Sequence, residues 1–98
     1  MMKSTLLADR IYQIRTGKRM RQKPIAEALE VNSATYSRME KGERNIREDQ
    51  LPIIARVLGI ETDELQPLWL ADRISDAIGD SSSKITEQVI NLVHNNKQ

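Results

Sequence analysis

Apolar positions recur near the 3.6-residue helical period in successive windows, and no window alternates with period two for long enough to suggest a strand. Leu6, Leu7, Ile11 and Ile14 predict a helix over 5–16, with Ser4 as its N-cap and Gly17 as its end. Ile25, Ala26 and Leu29 predict a second, short helix over 22–29. Pro24 falls in its first turn, where the missing N–H has no intrahelical partner to lose. Asn32 caps a third helix over 33–41 that stops at Gly42. Leu51, Ile54, Ala55 and Leu58 predict a fourth over about 48–58, ended by Gly59; Pro52 requires it to start near Asp49 or to kink. Ile60 and Leu65 dock a short turn around Asp63 and Glu64. Pro67 opens a helix over 67–78 carrying Leu68, Leu70, Ala71, Ile74 and Ile78. After a linker or capping cluster at 80–83, Ile85, Val89, Leu92 and Val93 predict a last amphipathic helix over 84–94, and residues 95–98 form a frayed tail. The fold class is all-α.

The stretch from Gln22 to Gly42 would be one amphipathic helix but for a fault at Glu30-Val31-Asn32. Two short helices joined by a tight turn cross steeply. One can lie over a sugar–phosphate strand while the other enters a major groove, which a continuous helix cannot do. In that arrangement Ala26 is small where the helices cross, Val31 plugs the turn, and Tyr36 and Met39 anchor the third helix. Ser33, Ala34, Thr35, Ser37 and Arg38 are left outside.

Charge sharpens this picture. Residues 1–60 carry 12 basic and 7 acidic side chains, net +5; residues 61–98 carry 3 and 7, net −4. The basic half suits a polyanion and the acidic half does not share that surface. A chain of 98 residues buries a modest core and has little room for a deep catalytic cleft. It has no cysteine, hence no disulfide framework and no thiolate zinc site. No apolar run is long enough to span a bilayer and no secretory apolar segment follows Met1, so the expected place is the cytoplasm.

The run Q-x-x-I-A-E-A-L-x-V-x-S-A-T-Y-S-R-M-E-K-G-E-R-N, followed by the later LGI and DEL, resembles the Cro/CI-type (XRE-type) helix-turn-helix family over about residues 8–65. The resemblance implies a five-helix, lambda-repressor-like DNA-binding domain over 1–66, with a two-helix extension over 67–98. It implies sequence-specific binding of double-stranded DNA by a homodimer at a two-fold-related operator. Ser33, Ala34, Thr35, Ser37 and Arg38 then fall on the base-reading side. Arg38 is the strongest candidate, because a guanidinium pairs bidentately with guanine, a contact worth ~1–3 kcal/mol of discrimination. Gln22 matches the family's glutamine on backbone phosphate. Arg19, Arg21 and Lys23 suit the near wall of the groove; Lys41, Arg44 and Asn45 suit the far one, where contacts set register and affinity. Two positions depart from the family pattern. Glu30 stands where glycine is common, in a turn that can require positive φ. Arg21 stands where a capping Ser or Thr is common, and adds a phosphate contact there.

Other residues have plainer readings. Glu40 in this family usually pairs with an arginine of the first helix, here Arg15, and so is structural rather than catalytic. The basic run KRMRQK, read alone, is a solvated loop; beside a helix-turn-helix it faces the DNA backbone. His94 is a lone imidazole near a polar end, and a metal site needs several convergent donors. Trp69, between Leu68 and Leu70, reads as an apolar anchor of the core or of a dimer. There is no Gly-rich phosphate loop, nucleophile motif or metal constellation, so no enzyme and no cofactor is expected.

The extension needs a partner for its apolar faces, because a lone helix of this length is marginal in water. Packing against the same helices of a second chain is the favoured arrangement, with Leu68, Trp69, Ile74, Ile78, Val89 and Val93 in the seam; packing back onto the chain's own core is the other. The expected function is a bacterial operator-binding regulator, a repressor by preference, with RNA polymerase as a further contact. A restriction–modification controller fits the same pattern. So does an antitoxin, whose acidic segment would wrap a toxin while its DNA binding regulates its own operon.

Overall fold

A computed structural model of the chain describes residues 5–79 and 83–95. Ser4, the linker at 80–82 and the tail at 96–98 lie outside the described residues, as does the side chain of Ser83. Six α-helices follow in order: α1 (Leu6–Gly17), α2 (Lys23–Ala28), α3 (Ser33–Glu40), α4 (Leu51–Leu58), α5 (Gln66–Ile78) and α6 (Ser83–Asn95). Single 3-10 turns at Glu48–Gln50 and Thr62–Glu64 precede α4 and α5. No strand occurs among the described residues. The fifth helix of the expected five-helix core is thus only the turn at Thr62–Glu64.

The ends of the helices are set by local chemistry. Thr5 caps α1, its hydroxyl accepting from the Ala8 N–H at 2.9 Å. That helix ends at Gly17, and the left-handed turn that closes it falls two residues on, at Arg19 (φ 58), with the Met20 N–H reaching back to the Arg15 carbonyl at 3.0 Å. The Asn32 side chain caps α3 by accepting from the Thr35 N–H at 2.7 Å. Pro52 is accommodated without a kink. The turn at Glu48–Gln50 comes first, so α4 begins at Leu51 and the proline lies in its opening turn. Gly59 closes α4 at φ 74, and Lys18 adds its ammonium to the Leu58 carbonyl at 2.6 Å, at the negative end of the helix.

The core is a single cluster drawn from all of α1–α4, Ile46 after α3, and Leu65 just ahead of α5. Ile25, Leu51, Ile54 and Leu65 have no exposed surface, and Ile11, Tyr36 and Leu58 are nearly as deep. Each such side chain contributes about 1.5–3 kcal/mol on burial. α5 packs against α1, and Leu68 and Trp69 lie partly buried against the cluster. α6 differs: Val89, Ile90, Leu92 and Val93 are between 38% and 69% exposed.

Candidate nucleic-acid interface

Residues 29–32 join α2 to α3. Glu30 sits at φ 59, and the Val31 N–H returns to the Ala26 carbonyl at 3.0 Å, closing α2 in a left-handed turn. The departure from glycine at this position therefore does carry positive φ. A left-handed residue other than glycine costs on the order of 1–2 kcal/mol. Val31 packs on the core beneath the turn, and Ala26 is buried.

The turn presents one side of α3 to the interior. Tyr36, Met39 and Glu40 are buried, as residues three and four apart on one helix face must be together. Ser33, Ala34, Arg38 and Lys41 are exposed, while Thr35 and Ser37 are half-buried. Beyond α3, Arg44 and Asn45 are exposed; ahead of α2, so are Arg19, Arg21 and Lys23. The chain thus brackets α3 with cations on both sides in sequence.

Beneath α3 lies a buried charge. Glu40 receives four donors: Arg15 Nε at 2.9 Å and Nη2 at 2.7 Å, the Tyr36 hydroxyl at 2.6 Å, and Gln22 Nε2 at 3.1 Å. Arg15 Nη1 also donates to the Met20 carbonyl at 2.7 Å. The side chains of Arg15 and Glu40 are only 11% and 3% exposed. Burial alone would raise the Glu40 carboxyl, but the hydrogen bonds from Arg15, Tyr36 and Gln22 outweigh it and hold the group below its ordinary range. The hydrogen bond to Glu40 raises Arg15 against its own desolvation. Burial first, and then the hydrogen bond to Glu40, push the Tyr36 phenol upward, so it serves as a neutral donor. The network ties α1, the start of α2 and α3 together, and so sets the angle at which α3 stands out.

A helix-turn-helix family model matches residues 11–65 of the chain. The chain belongs to the helix-turn-helix family of the Cro/CI (XRE) type. This is a family of DNA-binding transcription regulators. No curated protein and no solved structure matches the chain. α2, the turn at 29–32 and α3 all lie within the matched residues.

Not all of the expected contacts stand together. Gln22, read as a phosphate ligand, is half-buried and spends a side-chain N–H on Glu40. Of the residues expected in a dimer seam, Leu68 and Trp69 pack on this chain's own core, Ile74 and Ile78 are half-buried, and Val89 and Val93 are exposed. His94 is exposed, and among the described residues no cluster of His, Asp or Glu could hold a metal. No described helix is long and apolar enough to cross a membrane.

Sequence reasoning missed three structural contacts around the site. The Tyr36 hydroxyl joins the buried network, for which its place four residues before Glu40 was a signal. The Trp69 indole donates to the Ile46 carbonyl, and Asp72 caps α1 from across the fold. Neither of these has a local signature.

Proposed function

We propose that the protein is a sequence-specific operator-binding repressor that works as a homodimer at a two-fold-related site on double-stranded DNA. The observation that carries this reading is the two-sided character of α3. Its inner side is locked by the donors on Glu40, and its outer side offers Ser33, Ala34 and Arg38 to solvent. A rigid helix with short polar and small side chains beside one guanidinium suits the edges of bases. Ser37 and Thr35, half-buried, suit a base or phosphate at the margin of the contact. Arg19, Arg21, Lys23, Lys41, Arg44 and Asn45 supply the sequence-independent hold on phosphates. Occlusion of a promoter needs no further surface, so repression is the simplest sign, and no catalytic activity is proposed.

The exposed apolar residues of α6 support dimerisation through the extension. Val89 and Val93 lie four apart on one face, and Ile74 and Ile78 do so on α5. A two-fold pair would hold its recognition helices about 34 Å apart, one turn of duplex. The same α6 surface supports a second reading, a module that takes a protein partner such as a toxin. Sedimentation separates the two: a dimer of the chain alone favours the first, a monomer the second.

The test is selection of duplexes from a randomised pool. The chain should select a site with two related halves. Arg38→Ala should flatten preference among variants of that site, by ~1–3 kcal/mol at the base it reads. Lys41→Ala should weaken all duplexes alike and lower the salt slope by about one. No selection, or an unchanged preference in Arg38→Ala, overturns the assignment.

A further inference from the structure

α5 grips the rest of the molecule at two points on one face. Trp69 lies partly buried against the core, and its indole N–H donates to the Ile46 carbonyl at 2.8 Å. Three residues on, the two carboxylate oxygens of Asp72 accept from the Leu6 and Leu7 N–H groups, each at 3.0 Å. Those N–H groups open α1 and have no partner within the helix. The Arg73 guanidinium lies 5.3 Å from the centre of the Trp69 ring and braces the indole.

The Ile46 carbonyl belongs to the segment between α3 and α4 that also carries Arg44 and Asn45. The segment is pinned at both ends. At its start the Glu43 and Arg44 N–H groups both donate to the Arg38 carbonyl, at 2.9 and 3.3 Å. At its end the Ile46 side chain is buried and its carbonyl is held by Trp69. Arg44 and Asn45 line the same cleft as Trp69 and Arg73. Between the two pins only the exposed side chains are left free to reach outward.

We infer that α5 is part of the DNA-binding apparatus, with Trp69 as a positioning residue that, through the Ile46 carbonyl, sets where Arg44 and Asn45 meet the DNA backbone. This rests on the operator-binding reading above. It moves the end of the DNA-binding unit from residue 66 to the end of α5. Its reach to the phosphate contacts runs through the Trp69–Ile46 hydrogen bond and not through the grip of Asp72 on α1.

Trp69→Phe keeps a ring and removes the donor. On the duplex that the full chain selects, its affinity should fall about three- to tenfold, the scale of one hydrogen bond. Its salt slope should fall by about one as the Arg44 contact loosens. In a chain already carrying Arg44→Ala and Asn45→Ala, Trp69→Phe should cost nothing further. Asp72→Asn is the control: it should lower the melting midpoint and leave the salt slope alone. A Trp69→Phe protein that melts early but keeps its slope overturns the inference, and so does an equal loss in the Arg44/Asn45 background. Trp69 is the only tryptophan, so the unaltered chain offers a second measurement. Its emission should change on saturation with duplex and stay constant in Arg44→Ala; no change in the unaltered chain overturns the inference. If the unaltered chain selects no duplex, the operator reading fails and this inference falls with it. Selection without the Trp69 effects sinks this inference alone.

Discussion

Replacing Glu40 by glutamine tests what holds α3 in place. The carboxylate accepts from Arg15 twice, from Tyr36 and from Gln22, all within 3.1 Å. Glutamine keeps the shape but turns one acceptor into a donor. Whichever oxygen it replaces, that donor faces an N–H of the Arg15 guanidinium, and the buried Arg15 charge is left without its counter-ion. Breaking a buried pair from one side costs about 3–5 kcal/mol. A domain of this size has roughly 5–15 kcal/mol in all. The variant should therefore lose roughly a fifth or more of its stability in urea, with an unchanged m-value. At about 4–8 °C per kcal/mol, the melting midpoint should fall by at least ~12 °C. Removing both charges at once, Arg15→Met with Glu40→Leu, should cost less than Glu40→Gln alone, since no bare charge is left behind. The pH dependence has a definite sign. The folded carboxyl lies below its ordinary value, so between the two values the unfolded chain binds the extra proton. The stabilisation is then complete above the unfolded value of about 4.3 and is lost as pH falls through the depressed folded value. Glu40→Gln should remove that part of the acid slope. A loss under 1 kcal/mol, or a double variant less stable than the single, would refute the view that an ion pair needing both partners seats α3.

Glu30→Gly should stabilise the protein, because relief of the left-handed strain, about 1–2 kcal/mol, exceeds the added chain entropy of glycine, about 0.5–1 kcal/mol. Chemical denaturation reads the gain, and a loss would mean that the turn holds Glu30 for another reason. Asn32→Ala removes the cap on the Thr35 N–H and should cost about 1 kcal/mol. Its effect on DNA affinity should exceed that on an unrelated surface helix, because the frayed turn carries Ser33 and Ala34; equal binding by the variant would count against those two residues as base readers.

Much of the fold could be read from neighbours along the chain. The periodicity of Ile25, Ala26 and Leu29, the cap at Asn32 and the break at 30–32 are local interactions, so α2, the turn and α3 were predicted within a residue or so. The inward and outward sides of α3 followed from the same spacing. α1 ends at Gly17 as its spacing indicates, but the left-handed residue that turns the chain out of the helix is Arg19, where the Met20 N–H meets the Arg15 carbonyl.

What the amino-acid pattern determined by itself is the set of helices, their ends and the identity of the exposed face of α3, since each depends on groups within a turn or two of one another. Tertiary structure alone decided what α5 does. Trp69 meets a carbonyl 23 residues away, and Asp72 meets N–H groups 65 and 66 residues away. No periodicity encodes such pairs. They form because burying Leu65 and Leu68 brings α5 against α1 and the segment after α3, where unpaired backbone groups await a partner.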